Sequence, residues 1–354
     1  MKKPAILGLC LAAVALAAVL ATLPLLNHAD PRAGTGDRLA AAPPPPAASS
    51  ASDANPGITL TVLHVNDVHG QTEPHGFLGK SIGGYSRLST LLGGIRAGRD
   101  ANLILLLHAG DEFSRGDDLT RKTLGRANIQ ILNFLRFDAW TPGNGDFYDG
   151  TAVLLQRARE ANFPTLNANV VPVPAAAWPT APSVIRQVGP VRVALFGLCT
   201  VYADAPGGAG LKVADPVETA ARIVPELRKK ADVVIALTHI GFGTDMRLAK
   251  QVAGIDLVIG GHTHTVLERG DLTKDPNGRE VLICQAGEQL LYLGCAELKL
   301  RPAGGGWRVE SAQAKLIPLD AKVPEDPAVK ALIARLSAAT SRPAPASRPA
   351  PVVK

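Results

Sequence analysis

The sequence has few aromatic side chains and no long block of basic residues. Phe, Tyr and Trp make up 4% of the 354 residues, which leaves few rings on which nucleobases could stack. The formal net charge is +6, but the basic side chains are scattered apart from the short run at residues 228–230. Nucleic-acid binding is therefore not indicated. The mild positive charge would still attract small anions.

The four cysteines do not have the spacing of a zinc finger. Cys10 lies inside an apolar leader, and Cys199, Cys284 and Cys295 each lie in a strand-like run. A hairpin turn is predicted around residues 287–289, which would let Cys284 and Cys295 pair across it in an oxidising compartment. Buried free thiols are the simpler interpretation, and the sequence leaves both open.

The N-terminus has the layout of a secretory signal. Lys2 and Lys3 precede an uncharged apolar run over residues 5–26, which is also long enough to span a bilayer. Residues 1–26 are therefore predicted to be either a cleaved signal peptide or an uncleaved membrane anchor. An Ala/Pro/Ser-rich linker over residues 27–57 follows. Both interpretations place the chain outside the cytoplasm, in the periplasm or tethered to the outer face of the membrane.

One α/β domain is predicted over residues 58–320, because strand-like runs alternate with helical ones. Helices are predicted over residues 85–96, 120–135, 151–161, 216–230 and 245–252. A C-terminal helix over residues 321–339 and a disordered Pro/Ala tail over residues 340–354 complete the chain.

Short polar motifs punctuate the domain, and all but the one at residues 143–144 directly follow an apolar, strand-like run. Their candidate metal ligands are Asp67, His69, Asp111, Asn144, His239, His262 and His264. Each residue alone has a common structural explanation, such as a cap or a turn. Together they supply the carboxylates, amide oxygen and imidazoles that a pair of Mn, Zn or Fe ions requires. Because side chains past strand ends converge on one edge of a sheet, the sequence predicts a site for two divalent ions.

From about residue 58 to about residue 318 the chain resembles the catalytic domain of the calcineurin-like metallophosphoesterases of the 5′-nucleotidase type. Beyond the ligand motifs, the resemblance rests on segments 63–70, 83–88, 163–170, 254–262 and 285–287. It implies a four-layer αββα fold, in which a two-sheet sandwich is flanked by helices. It also implies an enzyme that hydrolyses small phosphate esters, with a hydroxide held between two metal ions attacking phosphorus in line.

The resemblance also implies a role for each ligand. The first metal ion would be held by Asp67, His69 and His264. The second would be held by Asn144, His239 and His262, and Asp111 would bridge the two. The residues with a direct part in catalysis would be Asp111, Asn144 and His262.

The third motif departs from the family's pattern. The family carries Gly-Asn-His-Glu/Asp-Phe-Asp, in which the His contacts the phosphoryl group and the Asp orients that His. Residues 143–148 read Gly-Asn-Gly-Asp-Phe-Tyr, so Gly145 and Tyr148 replace both members of the dyad. Losing a positioned acid typically costs about 10²- to 10⁴-fold in rate. Tyr148 and His75 are candidates for a substitute acid, against a packing role for Tyr148 and a solvated loop position for His75.

Two other functions stay open at this stage. A relative of the thiosulfohydrolase of sulfur oxidation, whose members also lack the motif His, would hydrolyse a sulfur-bearing ester. A non-catalytic module would bind phosphorylated ligands through its metal ions. Nucleotidases of the family also append a domain that clamps the base between aromatic rings, and no segment fits such a domain. Nucleotide specificity therefore does not follow from the resemblance, and no feature indicates an oligomeric state.

Overall fold

The computed structural model describes residues 56–173, 178–201 and 209–340. The predicted leader over residues 1–26, nearly all of the linker and nearly all of the Pro/Ala tail lie outside the described residues. In the part that is described, no helix is both long enough and apolar enough to cross a bilayer.

The strands and helices are numbered in chain order. The strands are β1 (Ile58–Val65), β2 (His75–Phe77), β3 (Lys80–Ile82), β4 (Ile104–His108), β5 (Ala139–Trp140), β6 (Val170–Pro172), β7 (Ser183–Val188), β8 (Val191–Cys199), β9 (Leu211–Val213), β10 (Val233–His239), β11 (Leu257–Ile259), β12 (Asp271–Lys274), β13 (Glu280–Cys284), β14 (Tyr292–Ala303) and β15 (Gly306–Pro318). The helices are α1 (Tyr85–Ala97), α2 (Asp118–Thr123), α3 (Arg126–Leu135), α4 (Thr151–Glu160), α5 (Pro216–Arg228), α6 (Phe242–Gln251) and α7 (Pro327–Thr340).

Two larger sheets carry the fold. The five-stranded sheet has the order β15-β14-β1-β4-β5, and the six-stranded sheet has the order β12-β13-β11-β10-β8-β7. Strands β1, β4 and β5 run parallel in the first sheet, as β8, β10, β11 and β13 do in the second. The remaining strands of both sheets pair antiparallel with their neighbours. Each sheet therefore has one edge where several strands end in the same direction.

The two sheets pack face to face and helices cover their outer faces. Leu60 and Val62 of β1 share one buried cluster with Val233 and Ile235 of β10. Leu63, which points to the opposite face of β1, packs with residues of α1, α3 and α7. Helices α5 and α6 cover the six-stranded sheet in the same way. Because the central strands are buried on both faces, their sequences are almost continuously apolar. The predicted sandwich flanked by helices is confirmed.

The helix predicted over residues 120–135 is wrong in one respect, because the segment forms two helices. Leu124 and Gly125 have φ angles of 49° and 73°, in the left-handed region. A right-handed helix cannot continue through such residues, so α2 ends and α3 begins there. Gly125 is also required for space, because a Cβ atom there would lie 2.5 Å from the ring of Phe113.

The hairpin predicted between Cys284 and Cys295 is also wrong. Strand β13, which ends at Cys284, belongs to the six-stranded sheet, whereas β14 belongs to the five-stranded sheet. The connection therefore crosses from one sheet to the other. Cys199, Cys284 and Cys295 are all buried free thiols.

Near the other end of the domain, α7 packs its Val329 and Ile333 into the cluster of α1 and α3.

Candidate metal centre

The polar motifs meet where parallel strands of both sheets end. The candidate ligands that follow the five-stranded sheet are Asp67 and His69 after β1, Asp111 after β4 and Asn144 after β5. Those of the six-stranded sheet are His239 at the end of β10 and His262 and His264 after β11. The two-residue strand β5 is too short to show in the apolar pattern, so the sequence had placed no strand before Asn144. The structure brings all seven side chains to one edge of the sandwich.

Most of these residues have a strained backbone. Left-handed φ angles between 50° and 81° occur at Asp67, His69, Asp111, His262 and His264. Such conformations cost roughly 1–3 kcal/mol each for residues other than glycine, and they persist only where the surrounding structure enforces them. Strain at five of seven candidate ligands indicates that the fold holds these side chains in place for a function.

Two groups of ligand atoms share Asp67. In one group, atoms of Asp67, His69 and His264 all lie within 4.8 Å of one another, and in the other, atoms of Asp67, Asp111 and His239 do so. The separation between His69 Nε2 and His264 Nε2 is 2.9 Å. This spacing is short enough for a single ion to contact all members of a group.

His262 and Asn144 also contact each other in this cluster. His262 Nδ1 lies 2.8 Å from Asn144 Oδ1, and the His262 backbone N–H donates to Asp67 Oδ2 at 3.0 Å. The Asn144 amide donates from Nδ2 to the Tyr148 hydroxyl at 2.9 Å. Its Oδ1 atom therefore faces the ligand cluster, as a metal-binding amide oxygen must.

Three of the histidines have one ring nitrogen fixed by a neighbour and the other directed at the carboxylates. The fixed contacts are His69 Nδ1 to Ser114 Oγ at 2.9 Å, His239 Nδ1 to the Ala109 carbonyl at 2.7 Å, and His264 Nδ1 to Glu288 Oε2 at 3.2 Å. Metal-binding histidines nearly always have such an outer partner, which sets the tautomer and the ring orientation.

The residues present fit a divalent cation. His239 is fully buried, and its Nε2 atom makes no hydrogen bond. This atom lies 3.4 Å from Asp111 Oδ1 and 3.8 Å from Asp67 Oδ1. An unsatisfied buried nitrogen is costly, and two buried carboxylates lie beside it. A metal ion among these three residues would satisfy all of them.

The electrostatics of the cluster point the same way. Burial alone would lower the pKa of His239, but the carboxylates of Asp111 and Asp67 raise this pKa to about 10. Burial opposes ionisation of Asp111 and Asp67 as well, yet the charge of His239 is one of the effects that hold the pKa of each below its usual value. Burial lowers the pKa of His69 and of His262, which favours the neutral imidazoles that metal ions bind. The carboxylates of Asp111 and Asp67 thus favour a positive charge beside them.

Asp146 joins the loop that carries Asp111 to the loop that carries Asn144. This buried carboxylate accepts hydrogen bonds from the backbone N–H groups of Asp111, Glu112, Phe113 and Gly143. Burial and the charge of Asp111 raise the pKa of Asp146 to about 8. The Gly145 N–H in turn donates to Asp111 Oδ1 at 2.7 Å. Asp111 and Asn144 are therefore held in one rigid unit.

A cavity of about 300 Å³ opens over the cluster. Its lining consists of His69, Asp111, Ser114, Arg115, Asn144, Tyr148, His262 and His264. Tyr148 is 38% exposed, and Arg115 is exposed with a left-handed φ of 63°. His75 is not among these lining residues; its Nε2 atom lies 3.1 Å from Oε1 of Gln289, in the loop before β14.

Sequence reasoning missed three residues of the site. Ser114 and Arg115 lie three and four residues after Asp111, in the same loop. Their place in a loop that carries a ligand was the available signal. Glu288 follows directly after segment 285–287, but its contact with His264 becomes visible only when the chain is folded.

Comparisons with known proteins identify a family and similar proteins. The family described as calcineurin-like phosphoesterase matches residues 60–266. A snake venom 5′-nucleotidase of Naja atra is 33% identical over 311 residues, which is 78% of this chain and 56% of that protein. The solved structure of a 5′-nucleotidase precursor from Thermus thermophilus has a TM-score of 0.72 at 29% identity, over 80% of this chain and 59% of that one.

A further solved structure shares the fold. The sulfate thiohydrolase SoxB of Thermus thermophilus has a TM-score of 0.69 at 21% identity, over 79% of this chain and 60% of that one. The chain spans little more than half the length of the curated 5′-nucleotidase of Naja atra. With the fold, the converging ligands and the family match over residues 60–266, the chain belongs to the calcineurin-like phosphoesterase family.

Proposed function

We propose that the chain is an exported hydrolase of small phosphate esters that works with two divalent ions of Mn, Zn or Fe. The observation that carries the proposal is the convergence of seven candidate ligands where two sheets end together. Two ions bound there would polarise the phosphoryl group and generate a nucleophile from water at neutral pH. The similarity to 5′-nucleotidases makes nucleotides the first esters to test.

The proposed division of the ligands is the one that the resemblance implies, and its first set coincides with the first group of ligand atoms described above. Asp67, His69 and His264 would hold the first ion, and Asn144, His239 and His262 the second. Asp111 would bridge them, because its Oδ1 lies 3.4 Å from His239 Nε2 of the second set and its Oδ2 lies beside the His69 ring of the first, 3.8 Å from Nδ1.

Tyr148 is the proposed replacement for the missing acid. Its hydroxyl oxygen accepts the hydrogen bond from Asn144, so the hydroxyl proton stays free to be donated to a leaving group in the cavity. His75 is a weaker choice, since its ring bonds to the Gln289 side chain and the cavity lining does not include it. Arg115 would contribute a cation at the cavity mouth, where it could pair with phosphoryl oxygens.

The cavity favours recognition of the phosphoryl end of a substrate. Tyr148 is the one phenyl-type ring among the described residues that line it. A clamp of two aromatic rings around a base is therefore not formed by the described residues. We propose small phosphate esters as the substrate class, with nucleotides as members of that class.

A sulfur-bearing ester is the second candidate, and the missing side chain at Gly145 favours it. The notable feature of the cavity is the absence of the His that contacts a phosphoryl group in phosphate-cleaving relatives. The fold is compatible with this reaction, because the SoxB structure shares it. Retention of all seven candidate ligands argues against a third possibility, a module that binds ligands without turnover.

Export is proposed on the basis of the leader over residues 1–26 and the linker over residues 27–57. We further propose that residues 58–320 form the catalytic domain. Expression of the full chain in a bacterial host, followed by fractionation and N-terminal sequencing, would test the leader. A mature N-terminus within residues 20–57 supports a cleaved signal peptide, and a full-length membrane-bound chain supports the anchor.

The activity is tested by measuring product release from a panel of esters. The purified protein with added Mn²⁺ would be incubated with nucleotides, sugar phosphates, phosphodiesters and a thiosulfate ester, and Asp111→Asn would serve as the blank. Phosphate release above the blank supports the main proposal and ranks the substrates. Sulfate release alone would favour the second candidate. No release from any substrate by a metal-loaded protein would refute both.

A further inference from the structure

Ser114 makes a polar contact with the candidate ligand His69. Its hydroxyl oxygen lies 2.9 Å from Nδ1 of His69, and both residues are buried. The other ring nitrogen, Nε2, lies 2.9 Å from His264 Nε2 and 3.9 Å from Asp67 Oδ1. If Nδ1 carries the proton and donates it to Ser114, the Nε2 lone pair points into the ligand group.

Gly145 makes room for this hydroxyl. A Cβ atom built at Gly145 would lie 2.4 Å from Ser114 Oγ and 2.7 Å from Ser114 Cβ. Both separations are too short for any side chain unless Ser114 moves. The backbone does not explain the glycine, because Gly145 begins a 3-10 turn and its φ is outside the left-handed region. Space is the remaining reason for glycine at this position.

We propose that Ser114 is the positioning residue for His69, and that Gly145 lacks a side chain because the Ser114 hydroxyl occupies that space. The proposal rests on the proposed function, since it takes His69 to be a ligand. At the third motif, Gly145 has no side chain, and the space that a side chain would take holds the Ser114 hydroxyl, which orients the candidate ligand His69. Gly145 and Ser114 are linked by sterics and should change together.

Metal affinity tests the positioning role without using activity. The full chain would be stripped with a chelator and titrated with Co²⁺, whose visible absorption reports ligand geometry. Ser114→Ala is expected to weaken one of the two binding steps by about 10- to 100-fold, the usual effect of removing an outer partner. Ser86→Ala is the matched control, because it removes another buried hydroxyl, one that donates to Glu325 at 2.9 Å and is not part of the cavity lining.

The possible outcomes distinguish failure of this proposal from failure of the proposed function. If the wild type binds two ions and Ser114→Ala binds them equally tightly with an unchanged Co²⁺ spectrum, the positioning role is refuted. If the wild type binds two ions and hydrolyses no ester, the proposed function fails while the titration still decides the role of Ser114. A wild type that binds no ion refutes both.

A double-mutant cycle tests the steric link. Gly145→Ala is expected to lower the Tm by roughly 3–10 °C, because overpacking a buried site destabilises it. Adding Ser114→Gly should restore at least half of that loss, although the weakened metal step should persist because the hydroxyl is gone. Strictly additive Tm changes would overturn the steric link. Preserved metal affinity in Ser114→Gly would overturn the positioning role.

Discussion

The two sheets of the sandwich contribute different chemistry to the same site. Loops after the five-stranded sheet supply every candidate oxygen ligand, from Asp67, Asp111 and Asn144, together with one imidazole. Strand ends and loops of the six-stranded sheet supply imidazoles alone. The negative charge therefore comes from one side of the seam, the edge where the two sheets meet, and most of the imidazoles come from the other. A cation between them would be bound by both sheets at once.

This division explains the behaviour of His239. His239 ends one of the two central strands of the six-stranded sheet, yet carboxylates from the other sheet raise its pKa to about 10. The two sheets thus interact electrostatically at this edge in addition to their apolar packing. The same seam should respond to removal of a carboxylate, to removal of metal and to changes at the cavity mouth.

The largest effect is expected from the bridging carboxylate of the five-stranded side. Asp111→Asn should reduce hydrolysis to background and remove one bound ion, because a neutral amide cannot neutralise two cations at once. Activity assays and elemental analysis of the purified protein would measure both effects. Asp118→Asn is the matched control, since its side chain is 70% exposed and lies on α2. Unchanged metal stoichiometry in Asp111→Asn would contradict the bridging assignment.

Restoring the acid dyad is expected to give the next largest effect, and the structure indicates that a third substitution is needed. Gly145→His with Tyr148→Asp places a side chain against Ser114, so we expect the pair to work only when Ser114→Gly is added. The triple variant, assayed at saturating Mn²⁺, should raise turnover of esters with poor leaving groups by up to about 10²-fold, and more than that of esters with good ones.

Ser114→Gly alone, at the same Mn²⁺ concentration, is the control for the dyad experiment. It separates the effect of the restored acid from that of the lost hydroxyl. Equal or lower rates on both kinds of ester would show that a missing acid does not limit this protein.

Removing metal should loosen the seam between the sheets. A ligand present at 100 times its dissociation constant stabilises the folded state by about 2.7 kcal/mol. This corresponds to a Tm shift of roughly 5–10 °C for a domain of this size. Chelation should therefore lower the Tm of the wild type by that amount, and by less in Asp111→Asn. Calorimetry with matched ionic strength measures it. Equal shifts in both proteins would mean that Asp111 does not share in metal binding.

The sequence predicted where the candidate ligands converge better than it predicted the loops around them. Ligands such as Asp67 and His262 follow apolar runs long enough to identify a strand, so their convergence could be predicted from strand ends. Ser114 has no such pattern, and its partner His69 is 45 residues away in sequence. The connection after Cys284 was misjudged because a crossing between sheets and a hairpin have similar turn residues.

Buried acids behind the ligand loops extend the comparison between the sheets. Glu112, behind the five-stranded sheet, interacts with the side chains of Tyr85, His108 and Asn128 at 2.6–2.7 Å. Asp245, behind the six-stranded sheet, accepts one bond from Thr238 at 2.7 Å and has an Oδ2 atom without a partner. Both carboxylate oxygens of Glu112 therefore have partners, whereas one oxygen of Asp245 has none.

Asp245 should therefore make stability depend on pH. Burial raises the pKa of Asp245 to about 7, against the opposing effects of Thr238 and His239. Between about pH 4 and pH 7 the folded protein holds a proton that the unfolded chain has lost, so the free energy of unfolding falls as pH rises through this window. Asp245→Asn cannot titrate, and its stability relative to the wild type should rise by up to roughly 1.4 kcal/mol per pH unit. Urea unfolding at pH 5 and pH 8 measures the difference in the free energy of unfolding between Asp245→Asn and the wild type. For the exposed control Asp118→Asn, this difference is expected to be the same at both pH values. A constant difference for Asp245→Asn would show that Asp245 is ionised throughout.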